Sequence, residues 1–198
     1  MKRIVQFLIL IMSLILLPLS SQEIGNINFE RVSYKITKPI IKKKKIIKDK
    51  VVISNERFLS ILGQLESNND YTQINAYGYI GKYQMGRAAL ADLGINISVE
   101  DFKNNPDSIF PPHEQDLTCI RLLKMNKLIL NNYISLHVDS IYKEVRITKA
   151  GMLASAHLVG PGSVMLFLNS KGDIDPVDGN GTPLSLYMRK FQDVEIKL

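Results

Sequence analysis

Residues 58–84 constrain the fold of this chain more than any other stretch. Apolar residues recur there with helical spacing, at Phe58, Leu59, Ile61, Leu62 and Leu65. Glu66 lies about 20° from Leu59 and about 40° from Leu62 on a helical wheel, so it shares their face. Short polar residues at 67–70 then favour the end of the helix. The sequence predicts an amphipathic helix that carries a carboxylate on the core-facing side of its last turn.

That position predicts a chemical role for Glu66. Partial burial and the negative end of the helix dipole both disfavour the charged form, so both raise the pKa of the carboxyl group and suit it to general acid catalysis. The alternative is a surface residue at a frayed helix end. Residues 71–84 are rich in Tyr and Gly, which favours a twisted hairpin beside a cleft. Its tyrosines could cover sugar rings or pack within strands.

Four motifs occur in order along the chain: Glu66-Ser67, then GKYQ ending at Gln84, then AHLVGPG at 156–162, then YMRKF starting at Tyr187. This series resembles the soluble lytic transglycosylase family, whose usual motifs are Glu-Ser, Gly-Leu-Met-Gln, Ala-Tyr-Asn-Ala-Gly-Pro-Gly and a tyrosine near the C-terminus. The likeness covers roughly residues 54–192. It implies an α+β, predominantly α, lysozyme-like helical domain with a small β-hairpin lining the cleft.

The resemblance implies cleavage of the MurNAc–GlcNAc β-1,4 bond of peptidoglycan with a 1,6-anhydro product and Glu66 as the single acid and base. It places Ser67 and Gln84 near the cleaved bond, and it places Tyr187 against Glu66. Tyr83, which occupies an apolar position of the family pattern, is assigned to the substrate-binding residues with them.

The third motif departs from the family at two positions. His157 stands where the family has tyrosine, and Leu158 stands where it has an asparagine that grips substrate. His157 could supply a polar contact to substrate instead, which also makes it a candidate substrate-binding residue. It could equally be a packed helix histidine.

Two other functional classes remain open. Glycosidases of the lysozyme or chitinase type usually need two carboxylates, and Asp70 or a later aspartate could be the second. A catalytically weak protein that binds or assembles cell wall could also use this fold, and the departure at Leu158 keeps that interpretation open.

The N-terminus has a different composition from the rest. Residues 1–21 contain Lys2 and Arg3, an apolar run and then small residues, which predicts a signal peptide or an N-terminal anchor. Residues 22–53 are predicted to be a lysine-rich linker before a domain at 54–198. The first 50 residues hold 11 Lys and Arg against 3 Asp and Glu, whereas residues 51–198 hold 14 against 16. The excess of positive charge therefore belongs to the N-terminus.

These features set the expected partners and location. The main partner is the peptidoglycan glycan strand, and the protein is expected to be exported to the periplasm or cell envelope. The eight lysines from Lys35 to Lys50 could contact anionic wall polymer or a membrane surface, or could form a solvated tether. Nucleic-acid binding is not expected.

No cofactor or metal is expected. Cys119 is the single cysteine, so no internal disulfide can form, and the three histidines lack zinc-site spacing. The aspartates of the loop 172–181 depart from the alternation of a calcium loop, and turn formation explains them better.

Helical spacing and breakers predict the remaining elements. We expect helices over 87–93, 112–133 and 149–159, with the first closed by Gly94 and the third by Gly160. Residues 134–147 look irregular or strand-like. A last helix should follow Thr182-Pro183 and carry Tyr187.

Overall fold

The computed structural model describes residues 49–198, and this part of the chain is mostly helical. The predicted signal segment and the linker up to residue 48 lie outside the described residues. In chain order the elements are β1 (Val51–Val52), α1 (Asn55–Ser67), α2 (Arg87–Asp92), α3 (Val99–Asn104), α4 (Pro106–Ile109), α5 (Pro112–Ile129), α6 (Asn131–His137), β2 (Ile141–Tyr142), β3 (Val145–Arg146), α7 (Lys149–Asn169), α8 (Leu184–Lys190) and β4 (Val194–Glu195).

The two ends of the described chain meet in a short parallel pair of strands, β1 and β4. The backbone N–H of Val51 donates to the carbonyl of Asp193 at 2.7 Å, and that of Ile53 donates to Glu195 at 3.0 Å. The predicted boundary at residue 54 put these residues in the linker, whereas the structure pairs them with the folded part. A parallel partner more than 140 residues away leaves no local signal, because each strand is only two residues long.

Helix α7 is the central element, and α5 and α8 both pack against it. Residues 150–156 in its first half are small or apolar, and all of them are buried. A Cβ on Gly151 would lie 3.3 Å from the backbone oxygen of Met188, so glycine allows α8 to approach closely. Thr148 caps α7 by accepting a bond from the N–H of Gly151, and its hydroxyl donates to the carbonyl of Phe191.

Gly160 interrupts α7 with φ of 80°, as its predicted role as a stop indicates, but the helix resumes at Pro161. Proline suits the first turn of this second segment because its missing N–H would have no helical partner there. Among the described residues, α7 alone has the length and hydropathy of a membrane span, yet half of that window is buried within the domain. Such burial is equally typical of a core helix.

The predicted helix over 112–133 is two helices. The first, α5, ends at Ile129, and α6 begins at Asn131. Leu130 between them is fully buried, which anchors the bend in the core. Residues 134–137 continue α6, and the rest of the segment predicted as irregular or strand-like contains the two-residue hairpin strands β2 and β3.

Residues 71–85 form a looped segment held by single antiparallel bridges rather than by continuous strands. Ile80 is the common partner, and it bridges Ile74 on one side and Met85 on the other. Three residues with positive φ turn the chain: Gly78, Gly81 and Gln84. The chain therefore reverses direction as the predicted hairpin requires, but it forms isolated bridges instead of a continuous pair of strands.

Candidate active site

Glu66 lies in the last turn of α1, as predicted from the helical spacing. Ser54 caps the start of this helix by accepting from the N–H of Arg57, and Asn68 ends it with a left-handed φ of 57°. Phe58 is fully buried on the same helix, and its ring lies 4.9 Å from that of Phe191. This contact fixes α1 against the segment that follows α8.

The Glu66 side chain is only 11% exposed and has two polar neighbours. The Tyr187 hydroxyl donates to Glu66 Oε1 at 2.8 Å, and His157 Nε2 lies 3.8 Å from the same oxygen. Burial is the largest influence on this carboxyl group, and it raises the pKa. The charge of His157 and the hydrogen bond from Tyr187 act against burial, while the charge of Asp178 adds to it. The net effect is a raised pKa, as a general acid requires.

Glu66 opens onto a cleft of about 710 Å³. The cleft is lined by residues of α1, the looped segment, α2, α7, α8 and the loop before α8. Its polar and aromatic lining includes Glu66, Gln73, Asn75, Tyr77, Tyr79, Gln84, Arg87, His157, Asp178, Asn180, Thr182 and Tyr187. The cleft is therefore large enough for several sugar groups and rich in hydrogen-bonding groups, which a carbohydrate site needs.

Gln84 lines the cleft and combines a strained backbone with a buried side-chain oxygen. Its φ is 45°, an unusual value for a residue with a side chain. Nε2 donates to the carbonyls of Gly81 at 2.9 Å and Gln73 at 3.3 Å, which fixes the amide. Oε1 is buried and has no hydrogen-bond partner within residues 49–198. A buried acceptor without a partner is costly, so Gln84 is suited to accept a bond from a substrate hydroxyl.

Two predicted substrate-binding residues do not line the cleft. Ser67 is buried, and its hydroxyl donates to the backbone oxygen of Lys82 at 2.8 Å, so it ties α1 to the looped segment. Tyr83 is 1% exposed, and its hydroxyl donates to Asp116 Oδ1 at 2.6 Å. The structure therefore places both side chains away from the cleft surface, where each is used in a contact within the protein.

Lys82 and Tyr83, which stand where the resembled motif has an apolar pair, both interact with Asp116. Lys82 Nζ lies 3.0 Å from Asp116 Oδ1, the same atom that accepts from Tyr83. Burial is the main cause that raises the pKa of the Tyr83 hydroxyl, and the hydrogen bond to Asp116 adds to it. One aspartate on α5 thus satisfies both polar side chains that replace an apolar pair.

His157 lines the cleft but is held inside the protein. Its side chain is 4% exposed, and Nε2 lies 2.8 Å from the carbonyl oxygen of Tyr83. A carbonyl can only accept, so Nε2 carries the hydrogen. Nδ1 is buried and has no hydrogen-bond partner in the described part of the chain. His157 therefore links α7 to the end of the looped segment beside Glu66, and most of its surface is packed.

Sequence reasoning missed Asp178 as a residue of the cleft. Asp178 Oδ1 accepts from the N–H groups of Asn180 at 2.9 Å and Thr182 at 2.7 Å, which is the turn chemistry predicted for this loop. It also lines the cleft with Glu66. Asp70 is exposed and accepts from the N–H and hydroxyl of Thr72, and it is not a lining residue. The second carboxylate of the cleft is therefore Asp178 rather than Asp70.

No protein-family model, curated protein or solved structure was found to match this chain.

Proposed function

We propose that this protein is a peptidoglycan lytic transglycosylase with a lysozyme-like helical domain. The observation that carries the proposal is the buried Glu66 carboxyl group, which accepts a hydrogen bond from Tyr187 inside a 710 Å³ cleft. Helical spacing, motif order and this contact agree on the same acid. An enzyme of this class acts outside the cytoplasmic membrane, in keeping with the export signal predicted for residues 1–21.

The proposed reaction uses Glu66 twice. The protonated carboxyl group donates its proton to the glycosidic oxygen as the bond from C1 to that oxygen breaks. The resulting carboxylate then takes the proton of the C6 hydroxyl, whose oxygen attacks C1 and closes a 1,6-anhydro ring. Glu66 ends protonated, as it began, and no water is consumed.

The neighbours of Glu66 have distinct parts in this scheme. Tyr187 holds one carboxyl oxygen and leaves the other for the substrate. Gln84 Oε1 accepts from a sugar hydroxyl, since it has no partner among the described residues. His157 holds the backbone of residue 83 and steadies the charge of Glu66 once the proton has left.

One observation favours a second candidate, a hydrolase of the lysozyme type. Asp178 shares the cleft with Glu66, and its negative charge is one of the causes that raise the pKa of Glu66. A second carboxylate could stabilise positive charge at C1 or hold a water molecule. Oδ1 of Asp178 already accepts from two backbone N–H groups, so its second oxygen would have to do this work.

Glu66→Gln tests the proposal. The variant should fold and should lose cleavage of purified peptidoglycan by about 10²-fold to 10⁴-fold or more, because a positioned acid contributes that much and here serves in two steps. Glu56→Gln is the matched control, since Glu56 lies at the exposed, opposite end of the same helix. A folded Glu66→Gln protein with full activity would refute the proposal. Retained binding without any cleavage by the wild type would instead favour a wall-binding protein.

A further inference from the structure

A second cavity lies beside the cleft and has a different chemistry. It measures about 250 Å³, and four residues line both spaces: Gly78, Met85, Arg87 and Val99. These four residues form the rim between the cleft and what we call the side cavity. Gly78 adds no side chain to this rim, and a Cβ there would already contact the Val99 side chain at 3.4 Å. Because the two spaces share the rim, a branch of a ligand bound in the cleft would lie next to the side cavity.

The wall of the side cavity is mostly apolar. Ile80, Met85 and Leu90 are almost fully buried, and each is about 2% exposed. Ile97 and Val99 continue this surface, and polar groups come from Asn96, Ser98 and Arg87. Such a wall suits small aliphatic groups and offers little to a sugar ring, whose edge carries hydroxyls.

Arg87 is the single lysine or arginine among the described residues that line either space. Its side chain is exposed, and it makes no hydrogen bond or ion pair with another described residue. Arg121 and Arg189, by contrast, donate to backbone carbonyls. A guanidinium group that faces a ligand space without a protein partner is suited to bind a carboxylate in bidentate fashion.

We infer that the side cavity binds the acidic peptide branch of peptidoglycan, with Arg87 pairing to one of its carboxylates. This inference rests on the proposed function. In a peptide-bearing strand the sugars carry neutral hydroxyl and acetamido groups, and the lactyl carboxyl group is used in the amide bond to the peptide, so Arg87 would have no charged partner on the glycan. The peptide supplies both groups that the side cavity can bind, namely carboxylates for Arg87 and small aliphatic side chains for the apolar wall. The expected substrate is therefore a peptide-bearing strand rather than a bare glycan.

Two substrates and four forms of the full chain test this inference. The substrates are peptide-bearing glycan strands and the same strands stripped of peptide with an amidase, with the lactyl carboxylates that the amidase releases then capped as neutral amides. The forms are wild type, Arg87→Gln, Arg87→Lys and, as control, Arg57→Gln, which removes an exposed arginine outside both spaces. Arg87→Gln should lower kcat/KM about tenfold more on peptide-bearing strands than on stripped strands. Arg87→Lys should lose less, and Arg57→Gln should match the wild type.

The result that overturns the inference is an Arg87→Gln effect that is absent or equal on the two substrates. Cleavage of both substrates by the wild type would leave the proposed function standing in that case. If the wild type cleaves neither substrate, the proposed function fails, and a binding measurement then tests separately whether the side cavity takes an acidic peptide. Muramyl dipeptide should then bind the wild type about tenfold more tightly than it binds Arg87→Gln. Its carboxyl-amidated form should show no such difference, and equal binding of the acid form would reject the site.

Discussion

Tyr187→Phe removes one hydrogen bond and leaves the packing of the ring in place. The lost bond is the 2.8 Å contact between the Tyr187 hydroxyl and Glu66 Oε1. Tyr187 is 4% exposed and the Glu66 side chain 11% exposed, so water replaces the hydroxyl poorly. The substitution therefore tests whether this contact controls the charge of Glu66.

The expected cost depends on the charge of Glu66. A hydrogen bond to a charged group contributes about 1.5–3 kcal/mol, and a neutral pair contributes about 1 kcal/mol. Tyr187→Phe should therefore lower the free energy of unfolding by about 1 kcal/mol at pH 4, where the carboxyl group is protonated. At pH 8 the loss should approach 2 kcal/mol. For a domain of this size, that difference corresponds to about 3 °C in Tm.

Activity should change in a related way. The bond from Tyr187 lowers the pKa of Glu66, so its loss lets burial raise that pKa further. The alkaline limb of kcat/KM, which reports loss of the acid's proton in the free enzyme, should move to higher pH. The rate at the optimum should fall about tenfold or more, because the carboxyl group is no longer held in one orientation.

Thermal unfolding at the two pH values and a full pH–rate profile measure both effects. Tyr71→Phe is the matched control, since its hydroxyl donates to Asp107 at 3.0 Å on the exposed surface outside the cleft. That variant should stay within about 0.5 kcal/mol of the wild type and keep its pH profile. An unshifted alkaline limb in Tyr187→Phe would refute the role of this contact.

Three further outcomes are expected. Folding raises the pKa of Glu66, so the folded state keeps the carboxyl proton to a higher pH than the unfolded state does, and the free energy of unfolding falls as pH rises above the ordinary carboxyl range. Glu66→Gln should therefore have a higher Tm than the wild type at pH 8, and this difference in Tm should disappear by pH 4. A difference in Tm that does not change with pH would reject this expectation. His157→Ala should lower the free energy of unfolding by about 1–3 kcal/mol, because it opens a cavity and removes the hydrogen-bond partner of the Tyr83 carbonyl. His113→Ala is the control, and it should cost little because His113 is exposed. An unchanged Tm in His157→Ala would show that the packing of His157 does not stabilise the fold. Deleting residues 22–48 should preserve turnover of short soluble glycans and remove salt-sensitive binding to anionic wall, and loss of turnover would make that segment part of the fold.

The sequence could predict the buried position of Glu66, because the helical spacing of nearby apolar residues puts it on their face of the helix. That signal is local. The break at Gly160 could be predicted for the same reason. The contact of Tyr187 with Glu66 spans 121 positions and came from motif order rather than from periodicity.

The placement of Ser67 and Tyr83 away from the cleft surface has a common cause. Motif position indicated that each lies near the site, but the direction of a side chain depends on partners far along the chain. Tyr83 turns inward because Asp116 on α5 offers an acceptor, 33 positions away. Asp178 was not named as a cleft residue because turn formation already explained an aspartate at that position. Its place in the cleft depends on how the loop packs in three dimensions, which the local sequence does not indicate.

The product of cleavage in heavy-oxygen water shows whether the C6 hydroxyl or a water molecule attacks C1, and so whether Glu66 acts alone as acid and base. If Glu66 acts twice on one sugar and no water attacks, mass spectrometry should find 1,6-anhydro ends that are lighter by one water than hydrolysed ends and contain no heavy oxygen. Glu66→Gln should yield neither product. New reducing ends, in excess of those in an enzyme-free control kept in the same heavy-oxygen water, would contradict the account, and they would indicate a hydrolase in which Asp178 assists Glu66.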